Sequence, residues 1–201
     1  MLGSNRVQTL RTQQKSDGFL KVWAHWLRHA KFDGSQTPEI CREVVLRGRA
    51  VAALPYDPVL DEILLIEQFR IGAQVAGTDP WIYEVVAGMM DEAGESPEQA
   101  LRRELVEEAG LGDVELTHIV DYFPSPGGTD EQILLYLARC DLSNVVQGAV
   151  FGEQTENEDI RVHRFPRSQW RDLLPSGKIN NAATLLSLMW LDEQLDAQRE
   201  F

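Results

Sequence analysis

The chain has 201 residues, 43% hydrophobic and 25% charged, enough for one substantial core and unlike a fibrous, collagen-like or wholly disordered chain. Its 19 basic and 32 acidic residues give a net charge of −13, so nucleic acid and membrane surfaces, both anionic, are excluded as general partners. No apolar run approaches the roughly 18–20 residues of a membrane span. The start, Met1-Leu-Gly-Ser-Asn-Arg, has no apolar signal core, and Cys41 and Cys140 have no CxxC partner, so a cytoplasmic protein with reduced thiols is expected.

In chain order, residues 1–16 are polar and are expected to fray. FLKVWAHWLRHA, Phe19 to Ala30, and Ile40 to Leu46 are strand-like runs, and Asp33-Gly34 between them is a hairpin signal. Short strands follow at Ala50–Leu54, Ile63–Gln68 and Trp81–Ala87, separated by turn chemistry at Pro55–Pro58 and Gly72–Pro80. Further strands are expected near Val114–Tyr122, Ile133–Leu137 and Ile160–Phe165, with a long loop over Gln147–Asp159. A short helix at Ser168–Leu174 and a longer one over about Asn181–Gln198 close the chain. In the latter, Leu185, Leu188, Met189 and Leu195 fall near one face and read as core packing. Strands mixed with helices on their faces read as α/β or α+β.

The most informative segment is Gly88–Leu111, GMMDEAGESPEQALRRELVEEAGL. Ser96 is an N-cap, Pro97 suits the first helical position, Gln99 completes a capping box, and Gly110 is a C′ stop. The helix is therefore expected over Pro97–Ala109. Leu101, Leu105 and Ala109 can face a core, while Glu104, Glu107 and Glu108 share another face. Like charges at that spacing cost a helix about 0.2–0.5 kcal/mol per pair. Taken alone the three glutamates read either as a solvated acidic face or as a site for Mg²⁺, which prefers carboxylate oxygens.

From Glu95 onward, seven residues precede Arg103-Glu104, followed by an apolar residue, Val106, Glu107-Glu108, Ala109, Gly110 and Leu111. This pattern resembles the Nudix box, the loop–helix–loop signature of the Nudix hydrolases. One departure is visible: six residues, not the family's five, separate Gly88 from Glu95. The extra residue, assigned to Ala93, lengthens the loop before the helix and bears on Glu95. The register Glu104/Glu107/Glu108 is intact. Beyond the box, CREVVLRG (41–48), IEQFR (66–70), SPGGTDE (125–131), ENEDIRV (156–162) and GKINNAATLLSLMWL (177–191) resemble the bacterial ADP-ribose pyrophosphatases.

The resemblance implies a Nudix α/β/α sandwich with a mixed sheet over residues 48–201. It also implies an N-terminal β-hairpin subdomain over 1–47, exchanged in a homodimer. It implies Mg²⁺, with Mn²⁺ as a substitute, held by Glu104, Glu107, Glu108 and the Ala87 carbonyl and joined by Glu158. Glu156 would be the general base, with Glu107 and Arg103 in the catalytic set, Arg103 orienting a box glutamate. Substrate would be held by Phe19, Leu20, Arg42, Glu43, Arg47, Arg70 and Met89, with Ser125, Pro126, Gly127 and Glu131. The glycines of Ser125-Pro-Gly-Gly-Thr would let backbone amides approach an oxyanion. The implied reaction is hydrolysis of ADP-ribose to AMP and ribose 5-phosphate. Another nucleoside diphosphate sugar (GDP-mannose, UDP-glucose) and a module that binds ADP-ribose without cutting it are the alternatives. Hydride transfer and serine nucleophile chemistry lack their G-x-G-x-x-G and G-x-S-x-G motifs. His25, His29, His118 and His163 are scattered and read as packed or exposed.

Overall fold

The computed structural model describes residues 6–91, 93–153 and 157–199. The chain divides into two compact units, Met1–Gly48 with Phe123–Gln132, and Arg49–Tyr122 with Ile133–Phe201.

The larger unit is built on an eight-stranded sheet. Strands β4 (Arg49–Asp57) and β5 (Glu62–Phe69) start as a hairpin, pairing Tyr56 with Ile63 and Asp57 with Glu62. Beyond that point they part. β5 pairs with β6 (Trp81–Glu84) through Ile66–Phe69, and β4 pairs with β7 (Val86–Met89) through Ala50–Ala53. Pro55, which has no N–H to give a ladder, sits where β4 changes partner. The strand expected to stop at Leu54 therefore runs through the proline, and the run expected as one strand over Trp81–Ala87 is two strands broken at Val85. β11 (Ile160–Pro166) covers the other edge of β5 and carries the short β10 (Val150–Phe151). On the far side β4 lies beside β9 (Gln132–Arg139), which pairs with β8 (Glu115–Tyr122). Cys140 N donates to Tyr56 O just as Gln132 N donates to Gly48 O, so β4 and β9 run parallel within an otherwise antiparallel sheet.

β4 is buried along almost its whole length because it is covered on both faces. Val51, Ala53, Leu64, Ile66 and Val86 face α2 (Pro97–Ala109), whose Leu101, Leu105 and Ala109 complete that layer. Ala52, Leu54, Ile63 and Leu65 face α3 (Ala182–Arg199) and the 3-10 helix Arg167–Ser176, meeting Leu188, Leu191 and Trp170. The result is an α/β/α sandwich with a mixed sheet. On α3 the buried stripe is Thr184, Ser187, Leu188, Leu191 and Asp192. Met189, read as core, is 58% exposed because it stands a full residue rotation from Leu188. A one-turn helix, α1 (Ile71–Val75), occupies the start of the segment read as turn.

In the smaller unit β1 (Val7–Asp17), β2 (Lys21–His29) and β3 (Ile40–Leu46) form an antiparallel sheet. Gly34 turns the β2–β3 connection at φ 85°, beside Asp33, whose carboxylate accepts from Ser35 N–H. β1 is a correction to the expectation of a frayed terminus. Its side chains are exposed, but its backbone pairs with β2 from Val7–His29 to Asp17–Lys21. Arg11 lies 3.7 Å over the Trp26 ring and bonds Glu39. Backbone pairing needs no apolar side chains, so polarity alone concealed the strand.

Candidate active site

α2 has the ends its sequence requires. Ser96 Oγ accepts from Gln99 N–H, the Gln99 side chain accepts from Ser96 N–H, and Gly110 adopts the left-handed conformation at φ 67°. With its apolar face against the sheet, the helix turns Glu104 and Glu108 toward β7. Glu108, 2% exposed, accepts a hydrogen bond from Ala87 N–H at 3.1 Å. Glu104 lies over Gly88, where a Cβ would stand 1.9 Å from its Oε1. The glycine of the box is thus a space requirement of Glu104.

Arg103 gathers the outer carboxylates. Its Nη1 donates to Glu104 Oε1 at 2.8 Å and to Glu107 Oε2 at 3.1 Å, and its Nε donates to Glu95 Oε1 at 3.4 Å. The loop with its extra residue turns at Gly94, φ 86°, and still delivers Glu95 to Arg103. Glu158 is held from two sides, Gln68 Nε2 donating to Oε1 at 3.5 Å and Glu153 N–H to Oε2 at 3.2 Å. Arg70 Nε donates to Glu84 Oε2 at 2.5 Å. Neither Gln68 nor Glu84 was singled out by sequence, since a strand residue's partner depends on which strand lies beside it.

Burial pushes the Glu108 carboxyl up to about 8; the Ala87 N–H opposes the shift, Glu104 and Glu158 add to it, and Arg70 opposes it. Glu104 is also raised by burial, with Arg103 opposing and Glu107 and Glu158 adding. So Ala87, Glu104, Glu108, Glu158 and Arg70 lie within one electrostatic neighbourhood, and Glu107 joins it through Arg103. Among the described residues no three acidic, histidine or cysteine groups already converge on one point: Glu108 is drawn to Ala87 N–H, Glu104 and Glu107 to Arg103, and Glu158 to Gln68 and Glu153 N–H. The donor set nonetheless suits a hard divalent cation. It consists of oxygens, two of its carboxyls are desolvated against one another, and the buried Gln68 Oε1 has no partner among the described residues. Glu156 lies outside the described residues. Met89 follows Gly88 on β7, paired with Ala50.

Within the smaller unit, the loop carrying Ser125, Pro126, Gly127 and Glu131 is tied to the end of β3. Val45 N donates to Gly128 O, and Asp130 Oδ1 accepts from the Arg47 and Gly48 N–H groups at 2.6 and 3.2 Å. Arg47 Nε lies 3.5 Å from Glu131 Oε1, and its guanidinium carbon is 6.0 Å from the Phe19 ring centroid. Phe19 is 94% exposed and Leu20 45%. Arg42 and Glu43 project from β3 in exposed positions, Arg42 bonding the Cys41 carbonyl.

Residues 46–185 match the NUDIX domain family. The chain is 40% identical to an ADP-ribose pyrophosphatase of Escherichia coli over 189 residues, 94% of this chain and 89% of that protein. It is 37% identical to an ADP-ribose pyrophosphatase of Haemophilus influenzae over 188 residues, covering 92% and 85%. A GDP-mannose pyrophosphatase of Salmonella choleraesuis is 34% identical over 151 residues, covering 75% and 76%. The fold is similar to the crystal structure of an ADP compounds hydrolase, with a TM-score of 0.73 and 22% identity over 96% of both chains. A box helix packed on β7 through its own glutamates, in a chain whose residues 46–185 match the family and which is 40% identical to such a relative over 94% of its length, makes this protein a member of the Nudix family.

Proposed function

We propose that the protein hydrolyses the pyrophosphate bond of ADP-ribose, releasing AMP and ribose 5-phosphate. The observation that carries this reading is the pair Glu104 and Glu108, desolvated against β7 with Glu158 and Arg70 beside them. A buried carboxylate with a half-buried one in its electrostatic reach is costly in a protein that only needs a surface, and a cation relieves that cost. The names of the two ADP-ribose pyrophosphatases, alike over nearly the whole chain, support the substrate.

Mg²⁺, or Mn²⁺ in its place, would be held by Glu104, Glu107, Glu108, the Ala87 carbonyl and Glu158. Bound there it would neutralise phosphate oxygens and acidify water. The chain's own groups do the rest. Glu156 takes the proton of the attacking water as its oxygen adds to phosphorus and the bridging P–O bond breaks. Arg103 holds Glu104 and Glu107 in a fixed fork, a task suited to its planar guanidinium. Arg70, oriented by Glu84, binds phosphate, and Met89 lines the ribose end. Phe19, Leu20, Arg42, Glu43, Arg47 and Glu131 are assigned to the nucleoside. The loop Ser125-Pro126-Gly127 would offer its amides to an oxyanion. Gly127 and Gly128 have no positive φ and a Cβ there meets nothing within 4 Å, so neither packing nor backbone geometry explains them. A homodimer with exchanged N-terminal hairpins belongs to the same reading.

The test is AMP release from ADP-ribose in Mg²⁺, beside GDP-mannose and UDP-glucose. Turnover lost in Glu108→Gln and Glu156→Gln supports the reading. Preference for GDP-mannose, which the 34% identical relative keeps in view, would keep the chemistry and replace the substrate. Binding of ADP-ribose without cleavage would make the protein a sensor, and a monomer in sedimentation at micromolar concentration would remove the exchanged dimer.

A further inference from the structure

Along β5 alternate side chains face opposite layers. Leu64 and Ile66 belong to the layer against α2, whereas Ile63 and Leu65 belong to the layer against α3. Gln68 continues the first row and Glu67 the second, Glu67 ending in bonds from Lys178 at 2.7 Å and with His163 at 3.0 Å. Gln68 therefore follows Leu64 and Ile66 in the row that points at α2, and unlike Glu62 at the row's other end, which pairs with Arg164, it is 8% exposed. Its amide is half used. Nε2 donates to Glu158 Oε1, while Oε1 is buried with no hydrogen-bond partner among the described residues. Exchanging the amide's oxygen and nitrogen would set two acceptors against each other, so the donor must face Glu158.

A leucine would complete the row without a buried, unmatched carbonyl. The orphaned oxygen sits beside Glu158, itself in the electrostatic reach of Glu104 and Glu108, carboxylates that are acceptors when ionised, while Arg70 of the same neighbourhood gives its Nε to Glu84. A water bound to a cation is the missing kind of group: its lone pair is engaged by the metal and its hydrogens point outward.

The geometry points to Gln68 as the residue that positions Glu158 for metal binding, its Nε2 holding the carboxylate and its Oε1 accepting from a water of the hydrated cation. This rests on the metal reading above and extends it to a residue outside the box. Removing such an outer partner of a metal ligand costs roughly 10–100-fold in metal affinity.

The experiment measures Mn²⁺ affinity of the substrate-free protein by electron paramagnetic resonance, with melting temperature in the absence of metal. It compares wild type, Gln68→Met, Gln68→Leu, Glu158→Gln and the Gln68→Met/Glu158→Gln double variant. The expected result is Mn²⁺ binding at least about tenfold weaker in Gln68→Met. The metal-free melting temperature should be no lower, because an unmatched buried carbonyl has gone. Gln68→Met should weaken binding less in the Glu158→Gln background than in the wild type, since the part of its effect that runs through Glu158 is already gone and only the bond to the metal's water remains to lose. Gln68→Met binding within twofold of wild type, or a metal-free melting temperature that falls with the affinity, overturns the assignment by making Gln68 a packing residue. If Gln68→Leu does not fold, Gln68→Met decides. Wild type that binds no Mn²⁺ would overturn the metal reading itself, an outcome distinct from failure of Gln68 alone.

Discussion

Gly88 and Glu104 occupy each other's space: a Cβ on Gly88 would stand 1.9 Å from the Glu104 Oε1 and 2.5 Å from its Cγ. The strand must come bare to the helix at this point for the glutamate to lie down against it. Gly88→Ala should therefore push Glu104 off β7. Repacking should cost about 1–3 kcal/mol. Turnover of ADP-ribose should fall by on the order of 100-fold, the usual effect of misplacing a catalytic group by about 1 Å. Paired urea unfolding and initial-rate measurements check this, and full activity in Gly88→Ala would show that Glu104 is not needed in its observed place.

Glu108 is nearly fully buried and accepts from Ala87 N–H. Burial pushes its carboxyl up to about 8, so near neutral pH without metal it is mostly uncharged, and a glutamine keeps the acceptor but cannot ionise to meet a cation. Glu108→Gln should match or exceed the wild-type melting temperature without metal, and should lose the rise that the proposed metal site predicts for the wild type in Mg²⁺. Its turnover should fall by more than the roughly 10–100-fold expected for an outer partner of a ligand. Differential scanning fluorimetry with and without Mg²⁺ reads the first part directly.

Asp192 fastens the 3-10 helix to α3. Arg167 donates to its Oδ1 at 2.6 Å, Trp170 Nε1 to its Oδ2 at 3.0 Å, and Arg171 also pairs with Oδ2. Burial works against its ionisation, but these donors hold its pKa below the usual 3.8. The folded state thus binds the proton less readily than the unfolded one. Its contribution is complete above the unfolded value and is lost as pH falls through the folded one. Asp192→Asn takes one of its two carboxylate partners from Arg167, which keeps Asp61, so the change should cost about 1.5–3 kcal/mol, the worth of a hydrogen bond to a charged group. The stability difference between wild type and variant should stay level from pH 5 to 8 and shrink below about pH 3.8. Urea titrations across that range would refute the pairing if the gap grew instead as the solution was acidified.

Gly152 ends β10 at φ 116°, a conformation that side chains rarely adopt, and its Cβ would stand 2.8 Å from that of Glu158. Gly152→Ala should cost about 1–3 kcal/mol through strain and should speed hydrogen exchange at the amides of Asn157 to Ile160 by displacing Glu158. Gly112→Ala, where the nearest atom is 4.0 Å away and φ is not positive, is the control expected to change neither. Equal behaviour of the two variants would count against a fixed Glu158.

The sequence by itself determined α2, from the capping box at Ser96 to the left-handed Gly110. It determined, too, that Glu104, Glu107 and Glu108 share a face, because caps and helical periodicity act within a few residues of chain. The strands β4 and β5 likewise showed through as apolar runs, since burial on two faces leaves a local mark. What the tertiary structure decided is which strand lies beside which. Only pairing could reveal that Pro55 marks a change of partner, that polar β1 is a strand, or that Trp81–Ala87 divides between β5 and β4. The same holds at the site. Gln68 meets Glu158 across 90 residues and Glu84 meets Arg70 across a strand pair, contacts that no spacing announces because the sheet alone brings them together.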